Sequence, residues 1–156
     1  MAAVEQKLKE LGIVIPESKP LAGAAYVPFT SHNGLVTVSG QLPMKEGAPQ
    51  FIGKVGREYS IEQGQECAKL CAINILAQLK AACGGDWDRL QQTLRLGIFV
   101  NSPDDFTDAP KVANGASTLF TELFGDKGKH ARFAVSVAQL PFGCAVEVDG
   151  AFAIKA

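Results

Sequence analysis

Val4, Leu8 and Leu11 fall on one helical stripe among Glu5, Lys7, Lys9 and Glu10, and Gly12 and then Pro16 end the pattern. A short N-terminal helix is predicted there, followed by a loop holding Pro16, Pro20 and Pro28. Residues 35–39 have the β-branched content of a strand, which Gly40 follows, and Pro43, Gly47, Pro49, Gly53 and Gly56 mark a long loop. Ser60 and Gln63 have the spacing of a capping box, because each side chain can satisfy an otherwise unpaired amide at a helix start. The helix predicted from that point runs to Gly84 and Gly85, with Cys67, Leu70, Cys71, Ile75 and Leu79 on its apolar side.

Residues 93–100 form an apolar run of strand length, and Asn101, Ser102, Pro103 and Asp104 break it. The next helical stripe holds Val112, Ala116, Leu119, Phe120 and Leu123, with Gly125 at its end. Asn114 and Gly115 interrupt it. A glycine costs ~1 kcal/mol relative to alanine in a helix interior, so this pair marks close packing or a site contact. Near the C-terminus Phe133, Val135 and Val137 alternate with Arg132, Ala134 and Ser136, and Val146 and Val148 alternate with Glu147 and Asp149. An antiparallel hairpin of these two strands is predicted to bring Arg132 near Glu147 and Asp149 on a non-core face. The whole order implies an α+β layer, with helices packed on one face of a mixed sheet.

The chain of 156 residues suits a single domain, 1–156, whose first twenty residues form a helical extension. Apolar residues make up 47% and charged residues 20%, which excludes a disordered chain. A formal charge of -1 supplies no global field for phosphate backbones, so nucleic acid is not the expected partner. No segment has the apolar length of a signal peptide or a membrane span, and the expected location is the cytoplasm. Cys67, Cys71, Cys83 and Cys144 lack a CxxC pair and read as buried reduced thiols, with no metal.

Motifs for phosphate loops, nucleophile elbows, zinc proteases and dinucleotide binding are absent, and no cofactor is expected. The two histidines, His32 and His130, are each isolated in sequence from a Ser or Cys nucleophile and read as surface or loop residues. Arg132 differs, because a cation opening an apolar strand is costly unless paired or reserved for an anion. Two readings stay open: an ion pair with Glu147 or Asp149, or a bidentate clamp on a ligand carboxylate.

The segment from His130 through Arg132, Phe133, Ala134, Gln139 and Leu140 to Pro141 resembles the C-terminal motif of the Rid/YjgF family. Tyr26, the run Val38, Ser39, Gly40, Gln41, Leu42, Pro43, the strand ending Phe99, Val100, and the triplet Val146, Glu147, Val148 match in order, so roughly residues 20–154 are covered. The resemblance implies a chorismate-mutase-like subunit that assembles as a homotrimeric barrel with clefts between neighbours. It implies cofactor-independent hydrolysis of small 2-imino or enamine acids to 2-keto acids and ammonia. By the same resemblance Arg132 and Glu147 are the catalytic positions, and Tyr26, Gly40, Asn114, Arg132 and Ala134 bind the small carboxylate. Arg132 would clamp the carboxylate, Glu147 would activate water, and the Gly40 backbone would approach the ligand. Phe133 and Ala134 depart from the deaminating branch, which usually has a small hydroxyl residue and frequently a cysteine there, and Asp149 with Gly150 departs further. The Gly53, Lys54, Val55, Gly56 region resembles a longer bacterial branch. The alternatives are a non-catalytic trimer binding a small carboxylate at the same cleft, and an endoribonuclease, which the acidic charge sum and the absence of an aromatic RNA-binding motif disfavour.

Overall fold

A computed structural model describes residues 2–19 and 22–156; Met1, Pro20 and Leu21, including the proline counted above in the loop, lie outside the described residues. Helices α1 (Ala2–Glu10), α2 (Ile61–Ala82) and α3 (Ala109–Phe124) accompany strands β1 (Phe29–His32), β2 (Leu35–Gln41), β3 (Met44–Lys45), β4 (Ala48–Pro49), β5 (Leu90–Asn101), β6 (Ala131–Val137) and β7 (Val146–Ile154). The main sheet has the order β1-β2-β7-β5-β6, and β3 pairs with β4 in a small separate hairpin.

The capping box forms: Gln63 N–H donates to Ser60 Oγ (3.1 Å) and Ser60 N–H donates to Gln63 Oε1 (2.9 Å). Cys67, Ala68, Cys71, Ala72, Ile75, Leu76 and Leu79 of α2 are buried, so the cysteines do have a packing role. Burial pushes the Cys71 thiol above its ordinary range, which keeps it protonated and inert. Leu70 departs from the predicted stripe and borders a groove instead. Gly115 lets α3 cross α2 closely, because a Cβ there would collide with the Gln65 backbone. The close packing offered for the Asn114, Gly115 pair is present, and Asn114 accepts a hydrogen bond from Arg132.

The C-terminal hairpin does not form. β6 pairs parallel with β5, while β7 runs antiparallel between β2 and β5. The predicted alternation survives and β7 faces as expected, but the facing of β6 is inverted. Leu96, Ile98 and Val100 face the helices and align with Arg132, Ala134 and Ser136 on one side and with Gly150, Val148 and Val146 on the other. Ala134 therefore packs against the core, and Ser136 Oγ donates to Phe106 O (3.3 Å). Phe133 and Val135 lie on the bare face and remain 37% and 44% exposed. The β1 strand was missed because four residues between a proline and a turn show too little alternation, with the pattern intermediate then exposed throughout.

Two tertiary anchors hold the less regular segments. Lys54 Nζ donates to Asn101 Oδ1 (2.5 Å) and Ala138 O (2.6 Å), while Asn101 Nδ2 donates to Gln139 Oε1 (2.8 Å) and Cys144 O (3.1 Å). The loop before α2 is thus fastened to the ends of β5 and β6. At the other end Glu5 Oε1 accepts from Lys80 Nζ (2.9 Å) and Trp87 Nε1 (3.0 Å), which docks α1 together with buried Leu8.

Replacing Lys54 by Met strands acceptors in a part-buried setting, and a loss of about 1–3 kcal/mol is expected. The denaturant midpoint should fall with the slope unchanged. For α1 the Lys80 hydrogen bond holds the Glu5 carboxyl below its ordinary 4.5. A depressed carboxyl contributes its stability above the unfolded value and loses it as pH falls through the folded one. Amide exchange should show α1 losing protection below about pH 4.5 while α2 keeps it, and Glu5→Gln should remove that pH dependence.

Candidate functional site

Arg132 opens the edge strand β6 on the face covered by α3, whose first turns supply its partners. Its Nη1 donates to Asn114 Oδ1 (2.8 Å) and Ser117 Oγ (3.0 Å), and its Nη2 donates to Pro110 O (3.1 Å). A guanidinium has five N–H donors, so Nε–H and one Nη2–H remain for a ligand. The side chain is exposed and overlooks a cavity of about 310 Å³ lined by Ser117, Thr121, Lys129 and His130.

Sequence separation concealed one contact here. His130 Nδ1 lies 2.7 Å from Gly128 O, and a carbonyl only accepts, so Nδ1 carries the proton. Nε2, on the other side of the ring, is hydrogen-bonded with the Ser117 hydroxyl at 2.9 Å. His130 is therefore not isolated from a serine: one helical residue and one strand-entry residue, thirteen apart, form a chain of hydrogen bonds ending on Arg132. No local motif signals it, because Ser117 reaches His130 only after α3 packs on β6.

Glu147 occupies the bare face of β7, opposite Phe99 of β5. A bulge in β2 between Val38 and Gln41 brings Gly40 against it, and the Glu147 carboxylate fills the space a Cβ at Gly40 would take. The close approach expected at Gly40 is thus made by this side chain. Burial, and secondly the charge of Asp149, raise the Glu147 pKa above its ordinary value. Asp149 accepts from Arg95 Nη2 at 3.0 Å, and that guanidinium stacks 5.4 Å from the Phe133 ring centroid. The ion pair foreseen for Arg132 is made by Arg95 instead. Tyr26 is 61% exposed and shares a cavity of about 180 Å³ with Gly40, Gln41 and Phe142.

The structure therefore joins Arg132 to Asn114, and Glu147 to Gly40 with Tyr26 nearby, but separates the two groups. Within one chain Arg132 and Glu147 lie on opposite faces of the sheet with β5 between their strands. Ala134 lies on the Arg132 face, half-buried against the core. Phe133 points away from Arg132 and does not crowd its cavity.

A mixed sheet bare on one face, with helices on the other, makes this an α+β protein of chorismate-mutase-like fold. A family model described as "YjgF/chorismate mutase-like, putative endoribonuclease" matches residues 5–150, and the chain belongs to that family. It is 43% identical over 147 residues to Protein TCP17 of Trypanosoma cruzi, covering 94% of this chain and 91% of that one. Among solved structures it resembles Atu1372 of Agrobacterium tumefaciens at 44% identity and a TM-score of 0.92, covering 99% and 94% of the two chains. A Shewanella oneidensis MR-1 protein matches at 30% identity and a TM-score of 0.90, covering 97% and 99%. No helix among the described residues is long and apolar enough to cross a membrane.

Asp149→Asn removes a negative neighbour from Glu147 and should lower its pKa toward the ordinary value of 4.5. Carboxyl NMR titration reads this directly, and an unchanged Glu147 titration would assign the whole shift to burial.

Proposed function

We propose that this chain is a cofactor-independent deaminase that hydrolyses small 2-imino acids to 2-keto acids and ammonia, as a homotrimer with sites between subunits. The observation that carries this reading is the division of the site. Arg132 has two donors left over on an edge strand, while Glu147, with a raised pKa, waits on the opposite face beside Gly40 and Tyr26. One chain cannot direct both at one ligand; two neighbours in a closed ring can. The bare face also exposes Leu35, Phe133 and Val135, apolar surface that a neighbouring copy would cover.

In the proposed reaction Arg132 holds the substrate carboxylate in two parallel hydrogen bonds and fixes the imine carbon. Glu147 takes a proton from water as its oxygen bonds to that carbon, then returns the proton to nitrogen. The carbinolamine so formed gives its remaining hydroxyl proton to Glu147, which passes it to nitrogen as the C–N bond breaks, so ammonia leaves and the carbon keeps its oxygen as a ketone. A carboxyl with a raised pKa suits both steps better than an ordinary one near neutral pH.

A non-catalytic carboxylate-binding trimer is the second reading, favoured by the fact that the Arg132 clamp is complete without Glu147. A ribonuclease has less support, since the net charge is -1. Imine generated in situ from an amino acid, with and without this protein, separates the readings: faster release of ammonia and keto acid supports the deaminase, and a rate equal to buffer supports the binder. Arg132→Lys keeps the charge but loses the planar fork, and kcat/KM should fall roughly tenfold. Arg132→Ala should cost on the order of a hundredfold while light scattering still reports the trimer. Loss of the trimer in Arg132→Ala would make the residue a structural brace instead.

A further inference from the structure

The cavity beside Tyr26 and Gly40 does not end there. It shares Lys19, Gln41, Met44 and Gln78 as walls with a second cavity of about 550 Å³, roofed by the segment after α1 and by the β3–β4 hairpin. Asn74 and Gln78 of α2 line this extension, one helical turn apart and each only 9% exposed. Amides so deeply buried normally use all their hydrogen-bonding groups.

These two are half used. Asn74 Nδ2 donates to Leu42 O (2.9 Å) and Met44 O (3.0 Å), which assigns its amide orientation, because carbonyls only accept. Asn74 Oδ1 has no partner among the described residues. Gln78 Oε1 accepts from Ser18 Oγ at 2.5 Å, and its Nε2 has none among the described residues. One unpaired acceptor and one unpaired donor group, on residues that both line this groove, thus stand one turn apart on α2.

We infer that this groove is a specificity subsite for a neutral, amide-like tail, so that the preferred substrate is a 2-imino acid ending in a carboxamide or ureido group. Such a group carries a carbonyl for Gln78 Nε2 and an N–H for Asn74 Oδ1, and satisfies both at once. A carboxylate tail sets oxygen against Asn74 Oδ1 and has only Lys19, exposed to solvent, to pair with; an ammonium tail sets donors against Gln78 Nε2 and has only the exposed Glu17 and Glu46. An apolar tail leaves both amides unpaired, which is the case that costs most in discrimination. Cavities of this size suit a ligand larger than a three- or four-carbon acid. The inference rests on the deaminase reading for the reaction, though not for the binding.

The test uses the full-length protein and three imines made in situ by an amino-acid oxidase: from citrulline, ureido-ended, from 2-aminoadipate, carboxylate-ended, and from norleucine, apolar. A preference in kcat/KM of about tenfold for the citrulline imine over the other two is expected. Gln78→Leu and the near-isosteric Gln78→Glu should each reduce that ratio to less than about threefold. Beside turnover, calorimetry compares 5-ureidopentanoate with hexanoate and adipate on the same proteins. Tighter binding of the ureido acid that depends on Gln78, with no imine hydrolysed, would uphold the groove and overturn the deaminase. Hydrolysis of all three imines at similar kcat/KM, with equal binding of the three acids, would overturn the groove and leave the deaminase standing.

Discussion

The pairing of β5 with β6 on one side and β7 on the other governs where every candidate side chain points. Side chains alternate across a strand with a period of two, so aligning Leu96 with both Arg132 and Gly150 settles the faces of all three strands together. Arg132 is thereby committed to the helical side and Glu147 to the bare side. A shift of β7 by one residue would bury Glu147 and Asp149 under the helices and expose Val146 and Val148, and a shift of β6 would turn Arg132 to the bare face. The helices hold that choice in place, because Val146, Val148, Phe152 and Ile154 are buried beneath them.

Around this sheet, polar groups do work that apolar packing leaves undone. Asn114, Ser117 and the Pro110 carbonyl hold the guanidinium of Arg132 from the start of α3, so its free donors are oriented before any ligand arrives. His130 orders Ser117 from behind, with its own tautomer set by the Gly128 carbonyl. On the other face, burial and Asp149 keep Glu147 more basic than an ordinary carboxyl, while Arg95 pairs with Asp149 and stacks on Phe133. Both groups are thus held within one chain, on opposite faces of its sheet.

The segment after α1 and the β3–β4 hairpin add a wall that the core does not need. Asn74 fastens the hairpin to α2 through Leu42 and Met44, and Gln78 meets the N-terminal segment at Ser18. The α1 helix is itself tethered through Glu5 to Lys80 and Trp87. The outer face of α2, which would otherwise meet solvent, consequently carries buried amides beside the cavity of Tyr26 and Gly40.

Local rules written into the chain determined its helices and most of its strands. The Ser60 and Gln63 spacing set the start of α2, the stripe through Val112 and Leu119 set α3, and alternation set the β7 pattern, because each depends on neighbours within a few residues. The residues of the candidate site were also legible one by one, through an arginine opening an apolar strand and through family resemblance. Their grouping was not. The contact of Ser117 with His130, the exchange of Arg95 for Arg132 as partner of Asp149, and the separation of Arg132 from Glu147 all follow from which strands pair. Alternation states that two residues share a face, but it carries no information about which face meets the helices or which strand lies between. Those were decided by the tertiary structure, where burying the apolar rows of β5 and β7 under α2 and α3 outweighed the shorter connection of a C-terminal hairpin.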